Sequence, residues 1–478
     1  MEQIVVRVNE VLWGSLLIFL LTGTGIFYTF KLRFIQIRKF RQGIQRVTSG
    51  FSFHGKDADH NGISSFQALA TAVAAQVGTG NLAGAATAIA SGGAGAIFWM
   101  WLSAFFGMAT IYAEATLGQI YKTKVNGAVT GGPAYYIQAI FKHSFFSRLL
   151  AYFFSVSCIL ALGFMGNAVQ ANSIASAFEI AFHIPPMIVG IVVAILAGLI
   201  FFGGTKRIAS VTEKVVPSMA GMYIIICLLI IALNYVNILP AIRSIFVEAF
   251  TGRAALGGAL GITVQKAMRY GIARGLFSNE AGMGSTPHAH AIAKVNTPVE
   301  QGDVAIVTVF IDTFVVLTAT AMVILTSGLH DKGLTGIELT QAAFQIKLGY
   351  FGSVFIAIAL FFFALSTIIG WYFFGEANIK YLFHEKAHSV NIYRILVMLM
   401  IVFGSMQKVG LIWEMADMLN GFMVLPNLIA LLLMSSLVKV TSERYEKREL
   451  EKKSLLKYRM NEREKVGKTG LDTNKAVQ

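Results

Sequence analysis

Four residues, Gly78-Thr79-Gly80-Asn81, interrupt an apolar run from about Phe66 to Ala90, with Gln76 just ahead of them. The run is long enough to cross a bilayer, for which about 20 residues suffice. Where a helix stops and restarts inside hydrocarbon, its freed backbone groups need protein, water or a ligand as partners. Amides at the new N-terminus carry partial positive charge and suit a carboxylate. Carbonyls left at the other half-helix end suit a cation. A Gly-rich packing motif, with Asn81 bonded to a neighbour, is the plainer reading. A second interruption, Gly275-Leu276-Phe277-Ser278-Asn279-Glu280-Ala281-Gly282, lies in the other half of the chain. The centres of the two breaks hold hydroxyls and carbonyls rather than carboxylates, a donor set that suits a sodium ion.

Other polar residues sit in apolar runs. Ser366-Thr367 places two adjacent hydroxyls where they can face unwound carbonyls, or simply bond back to their own helix. Trp371 lies one turn beyond Thr367 and can wall the same cavity, provided its N–H finds a partner. Asn167 and Gln170 share a helix face beside Phe164 and Gly166. Neutral amides can bind an ammonium or a carboxylate, or glue two helices together. Glu280 is expensive in a membrane unless paired, and reads as a structural ion pair with Arg274 or Arg269. Glu114, Asp312 and Glu376 are further intramembrane acids, each a functional candidate or one locked to a base near an interface. Gly131-Gly132-Pro133 with Tyr135-Tyr136 reads as a cytoplasmic turn with a structural or gating role.

Composition says what must position these groups. The 478 residues are 55% hydrophobic and only 13% charged, against roughly 25% charged in a soluble domain. This is an all-α, polytopic membrane protein. Apolar run lengths give about eleven spans, near 12–30, 66–90, 95–121, 146–181, 186–203, 214–234, 256–284, 300–327, 352–379, 391–408 and 411–438. With the N-terminus outside, 30 of 39 Lys and Arg fall on one side, which marks that side as cytoplasmic and places the C-terminus there. The first span has no basic start and is not a cleavable signal. The +14 net charge thus reflects topology rather than nucleic-acid binding. Cys158 and Cys227 lie in apolar runs and read as packing residues.

Spans two to eleven divide into two sets of five, 66–234 and 256–438. They are joined by an extracellular connection at 235–255, preceded by a span and basic loop over 1–65, and followed by a charged tail at 439–478. The tail from Ser442 reads as a solvated helix or disordered segment. Five being odd, the second set is inverted relative to the first. Inverted repeats with broken first helices are the plan of secondary transporters whose substrate binds at the repeat interface. A P-loop, a nucleophile elbow and a His-Glu-x-x-His motif are all missing from the sequence, so neither an enzyme nor an ATP-driven pump is supported.

At these residues the chain resembles the alanine/glycine:cation symporter family, also called sodium:alanine symporters. The matching segments are FQALATAVAAQVGTGNLAGAATAIASGGAGAIFWMW (66–101), GGPAYYI (131–137), GNAVQANSIA (166–175), GIARGLFSNEAGMGS (271–285), FIDT (310–313) and FALSTIIGWYFFGE (363–376). The resemblance implies a LeuT-like 5+5 inverted repeat with one extra N-terminal span. It implies symport of alanine or glycine with sodium across the plasma membrane, with no organic cofactor. The expected substrate contacts are Gly78, Thr79, Gly80, Asn81, Phe164, Gln170, Phe277, Ser278 and Trp371, with the ammonium on Gln170 and on carbonyls of the second break. The expected sodium ligands are Ala75, Gly78, Ser366 and Thr367. Ala94 departs from the pattern, standing where the family usually shows proline, and Gln76 stands where a smaller residue is more usual. Proton coupling through Glu114 or Asp312 is the alternative within transport; a channel or sensor is the alternative outside it.

Overall fold

The computed structural model describes residues 2–49, 62–125, 127–141, 144–251, 260–384, 386–451 and 454. The basic loop over 50–61, the start of the seventh expected span before 260 and the tail beyond 454 lie outside them. In chain order the main helices are α1 (Gln3–Lys31), α2 (Ser65–Gln76), α3 (Ala85–Gly92), α4 (Gly95–Ile120), α5 (Phe145–Phe182), α6 (Pro186–Phe201) and α7 (Gly204–Leu233). They continue with α8 (Leu260–Asn279), α9 (Pro287–Ala291), α10 (Pro298–Ser327), α11 (Tyr350–Phe383), α12 (Ala387–Ser405) and α13 (Val409–Leu433). By length and apolar composition alone, eight of the described helices can cross a membrane: α1, α4, α5, α7, α10, α11, α12 and α13. Helix α6 is apolar but short. The other two expected spans are the broken ones, α2–α3 and α8–α9. The described residues form two compact units, one ending at Leu433 and one beginning at Met434. The second is helical over 435–451, with an exposed Lys439–Glu443 pair (3.9 Å) along it.

Local chemistry sets where the broken elements begin and end. Ser64 Oγ accepts from the Gln67 amide and Gln67 Oε1 accepts from the Ser64 amide, both at 3.0 Å, a reciprocal cap that starts α2. Val77 leaves helical geometry (φ −83°, ψ 92°) and ends it. A π-type turn at Gly80–Gly84 restarts the chain into α3. Helix α8 stops at Asn279, where Glu280 adopts φ +58°, and Gly282 and Gly284 also take positive φ before α9. Two further π-type turns interrupt α5 at Ile159–Gly166 and α10 at Phe310–Leu317. Such turns widen a helix locally and often mark functional sites.

The two broken helices run antiparallel to each other. Ile63, before α2, pairs with the end of α9: its amide donates to Ile292 O (3.0 Å) and its carbonyl accepts from Lys294 (2.9 Å). Midway, a Cβ on Gly80 would lie 2.9 Å from Ser278 Cα. At the far end, a Cβ on Gly92 would lie 3.0 Å from Ala267 Cα. Small residues let the backbones approach this closely. Helix α4 lies beside both α8 and α10, and Ala94 at its start donates its amide to Glu248 Oε2 (2.9 Å). A proline at 94 has no amide to give that bond. Cys158 and Cys227 are buried free thiols.

Candidate functional site

The first break begins with diverted amides. In an unbroken helix the amides of Gly78 and Thr79 would donate to the carbonyls of Ala74 and Ala75. Here Gly78 N donates to Asn81 Oδ1 (2.9 Å) and Thr79 N to Gln170 Oε1 (3.1 Å). Helix α11 brings its hydroxyl pair to the carbonyls so released. Thr367 Oγ1 lies 2.9 Å from Ala74 O, 3.0 Å from Phe363 O and 3.4 Å from Val77 O. Ser366 Oγ lies 2.8 Å from Phe363 O and 3.5 Å from Ala74 O. Each hydroxyl has one proton to donate, so most of these oxygens meet without a proton between them. Crowded hard oxygens are a cation-binding donor set. Of the expected ligands, Ser366 and Thr367 stand here. The carbonyls reaching Thr367 are those of Ala74 and Val77, each one residue before the expected Ala75 and Gly78. The reason is register: a Cβ at Gly78 would fall on Thr367 Oγ1, so the nearest carbonyls are that of the preceding peptide and the one a turn further back. Ala75 packs instead against Gly370, whose Cβ would lie 2.9 Å from its own.

Beside this cluster, two buried polar atoms, Gln170 Nε2 and Thr79 Oγ1, have no hydrogen-bond partner among the described residues. An unmet buried donor is costly, and a ligand acceptor relieves it. Gln170 presents an N–H, since its oxygen is held by Thr79. That N–H suits a carboxylate, where the expected contact was an ammonium. Phe277 and Trp371 come together as expected, ring centroids 5.4 Å apart and perpendicular, with Trp413 4.7 Å from Phe277. Phe164 lies on the π-type turn of α5, its ring 5.8 Å from Tyr393.

The acids depart most from the sequence reading. Asp312, on the π-type turn of α10, stands between the two breaks. Its carboxylate accepts from Asn81 Nδ2 (2.6 Å), Ser278 Oγ (2.9 Å) and Thr313 Oγ1 (2.7 Å). The expectation of breaks without a carboxylate is therefore corrected: one arrives from a third helix. Ser278 is occupied by this bond. Asn279 Nδ2 donates to Thr313 Oγ1 (3.2 Å), and Gln76 Nε2 donates to Asn279 O (2.7 Å), so the breaks are laced together at several points.

Glu280 does not pair with Arg274. Arg274 makes a two-pronged bridge to Asp417 on α13, at 2.7 Å for each nitrogen, and lies over Trp413. Glu280 accepts instead from Trp371 Nε1 and Ser285 Oγ, both at 2.5 Å. Glu114, within α4, takes the amides of Gly282 and Gly284, both at 2.9 Å, and Asn427 Nδ2 at 2.6 Å. Tyr136, from the Gly-Gly-Pro segment, donates to Asn427 Oδ1 and braces that anchor. Glu376 does meet bases, Lys380 at 2.7 Å and Arg394 at 3.8 Å. Sequence flagged these acids by their cost in a membrane. Lys380 lies one turn from Glu376, a pairing the sequence could suggest, but Asn81, Trp371 and the Gly282 and Gly284 amides are far in the chain from the acids they meet and left no local signal.

Residues 1–459 match the sequence model described as the sodium:alanine symporter family. The chain is 42% identical to the "Probable sodium/glutamine symporter GlnT" of Bacillus subtilis, over 92% of this chain and 89% of that protein. It is also 42% identical to the "Sodium/alanine symporter AgcS" of Methanococcus maripaludis, over 91% of this chain and 95% of the other. Among solved structures, a manganese transporter of Eremococcus coleocola shares the fold, with a TM-score of 0.51 at 15% identity, covering 77% of this chain and 75% of that one. These are transporters rather than enzymes, and the match along almost the whole length means that this chain belongs to the sodium:alanine symporter family.

Proposed function

We propose that this protein is a secondary active symporter that couples inward sodium movement to uptake of a small neutral amino acid, alanine or glycine. The observation that carries the reading is the meeting of two ligand sets at one break. Thr367 Oγ1 lies among the carbonyls of Ala74, Val77 and Phe363, while Thr79 Oγ1, two residues past Val77, and Gln170 Nε2, on α5, have no hydrogen-bond partner among the described residues. Sodium sits among the first group, with Ser366. The substrate carboxylate takes the second group and amides of the Gly78–Asn81 break. Its ammonium faces carbonyls of the second break near Phe277 and Ser278, and Phe277 and Trp371 limit the side chain. Sodium and substrate then favour the same closed arrangement of the breaks, so each raises affinity for the other.

The same reading places α1 outside a 5+5 inverted repeat of LeuT type, giving eleven spans in the plasma membrane with the C-terminus cytoplasmic. The antiparallel course of α2–α3 and α8–α9 supports it. Proton coupling is the second reading, favoured by Asp312, which has neutral donors but no base beside it among the described residues. Radiolabelled alanine uptake into proteoliposomes separates the two. An inward sodium gradient should drive accumulation, potassium should not, and excess glycine should compete more strongly than glutamine. Equal accumulation under a pH gradient without sodium would overturn the proposal.

A further inference from the structure

Glu280 costs the fold twice. It is a non-glycine residue at φ +58°, and its fully buried carboxylate has no cationic partner among the described residues. Left-handed backbone of this kind persists only where surrounding contacts hold it. A buried charge without a counter-charge is tolerated only if it is hydrogen-bonded. Glycine would remove both costs, so what the carboxylate touches indicates its use. One oxygen takes the indole N–H of Trp371 and the other the hydroxyl of Ser285, just before α9.

The indole is fixed at three places. Glu280 holds its pyrrole nitrogen. Its far edge abuts Gly166, where a Cβ would lie 2.5 Å from Cε3 and Cζ3. Phe277 packs perpendicular to its plane at 5.4 Å. Gly166 and Phe277 are steric limits, and both would allow the ring to tilt about its Cβ. Only the bond to Glu280 is directional. We propose that Glu280 is a specificity-determining positioning residue: it acts through the Trp371 indole to set the size of the amino-acid pocket. This rests on the proposed function in that Trp371 walls the substrate site. Glu280 also occupies the turn between α8 and α9, and Ser285 ties its carboxylate to α9. Displacement of α9 therefore pulls on the acceptor that orients the indole, linking pocket size to the state of the second break.

The test uses the full chain in proteoliposomes, reading kcat/KM for alanine over leucine. Glu280→Ala and Trp371→Phe, which delete the acceptor and the donor, should each lower this ratio roughly tenfold. Glu280→Gln keeps an acceptor oxygen and should restore the ratio to within about threefold of wild type. Glu280→Ala added to Trp371→Phe should change the ratio no further, because the bond is already gone. A second readout needs no transport. The indole N–H hydrogen-bond band in the ultraviolet resonance Raman spectrum, isolated as wild type minus Trp371→Phe, should be present in Glu280→Gln and shifted to the unbonded position in Glu280→Ala. Additive losses in the double variant, an alanine preference unmoved by Glu280→Ala, or a Glu280→Gln protein as impaired as Glu280→Ala would each overturn the proposal. If wild-type protein fails to take up alanine while the Raman shifts follow this order, the substrate assignment falls and the positioning bond stands.

Discussion

A hydroxyl is worth most where several oxygens converge on it, as they do at Thr367. Thr367→Val keeps the shape and removes one of the proposed sodium ligands. Sodium affinity should fall roughly tenfold, about 1.4 kcal/mol. Alanine affinity at fixed sodium should fall with it, and part should return at saturating sodium. Alanine binding titrated against sodium in both proteins checks this. An unchanged sodium dependence in a folded variant would leave Thr367 a packing hydroxyl. Trp371→Ala removes the proposed pocket wall together with the donor held by Glu280. Larger apolar amino acids should then enter, and alanine should bind more weakly by about 1–3 kcal/mol. Competition of alanine uptake by leucine measures both, once size-exclusion chromatography shows the variant folded.

At the scale of the element, the proposed transport depends on how closely the breaks approach. Gly80 matters because a Cβ would meet the backbone of Ser278 at 2.9 Å, and backbone cannot step aside as a flexible side chain can. Gly80→Ala should push the two broken helices apart and stretch the bonds from Asn81 and Ser278 to Asp312. A clash of this kind costs about 1–3 kcal/mol. The expected result is a loss of alanine affinity of tenfold or more, with normal expression and elution. Binding that matches wild type would mean the breaks do not need this contact. Gly282 and Gly284 serve differently. Their positive φ turns both amides toward Glu114, so α4 anchors the second break where Gln170, on α5, is bonded to the first.

Over the whole chain, sidedness follows from the distribution of Lys and Arg rather than from any one contact. Lys124, on the short strand Thr123–Val125 after α4, and Lys332, beyond α10, are both exposed and fall on opposite sides in the proposed topology. An impermeant thiol reagent applied to intact cells should label Lys332→Cys and spare Lys124→Cys, with the reverse in inside-out vesicles. The native thiols Cys158 and Cys227 are buried and contribute little background. Labelling of both sites from one side would refute an odd number of spans between them.

Much of the candidate site is legible in the sequence, because its signals are local. Composition alone places the chain in a membrane. Glycines and amides inside an apolar run reveal each break, since hydrocarbon makes irregular backbone expensive. Ser366-Thr367 and Trp371 stand out as polar groups on a mostly apolar helix, and the structure sets them against the first break and Phe277. The sequence does not say which acid meets which group. Asp312 joins both breaks, Glu280 holds Trp371, Glu114 holds two glycine amides, and Arg274 goes to Asp417. Each pairing spans tens to hundreds of residues and depends on how far a helix is rotated about its axis. The π-type turn that carries Asp312 changes that rotation within α10. The rule that a buried charge must be satisfied is general, but the identity of the partner is set by tertiary packing alone.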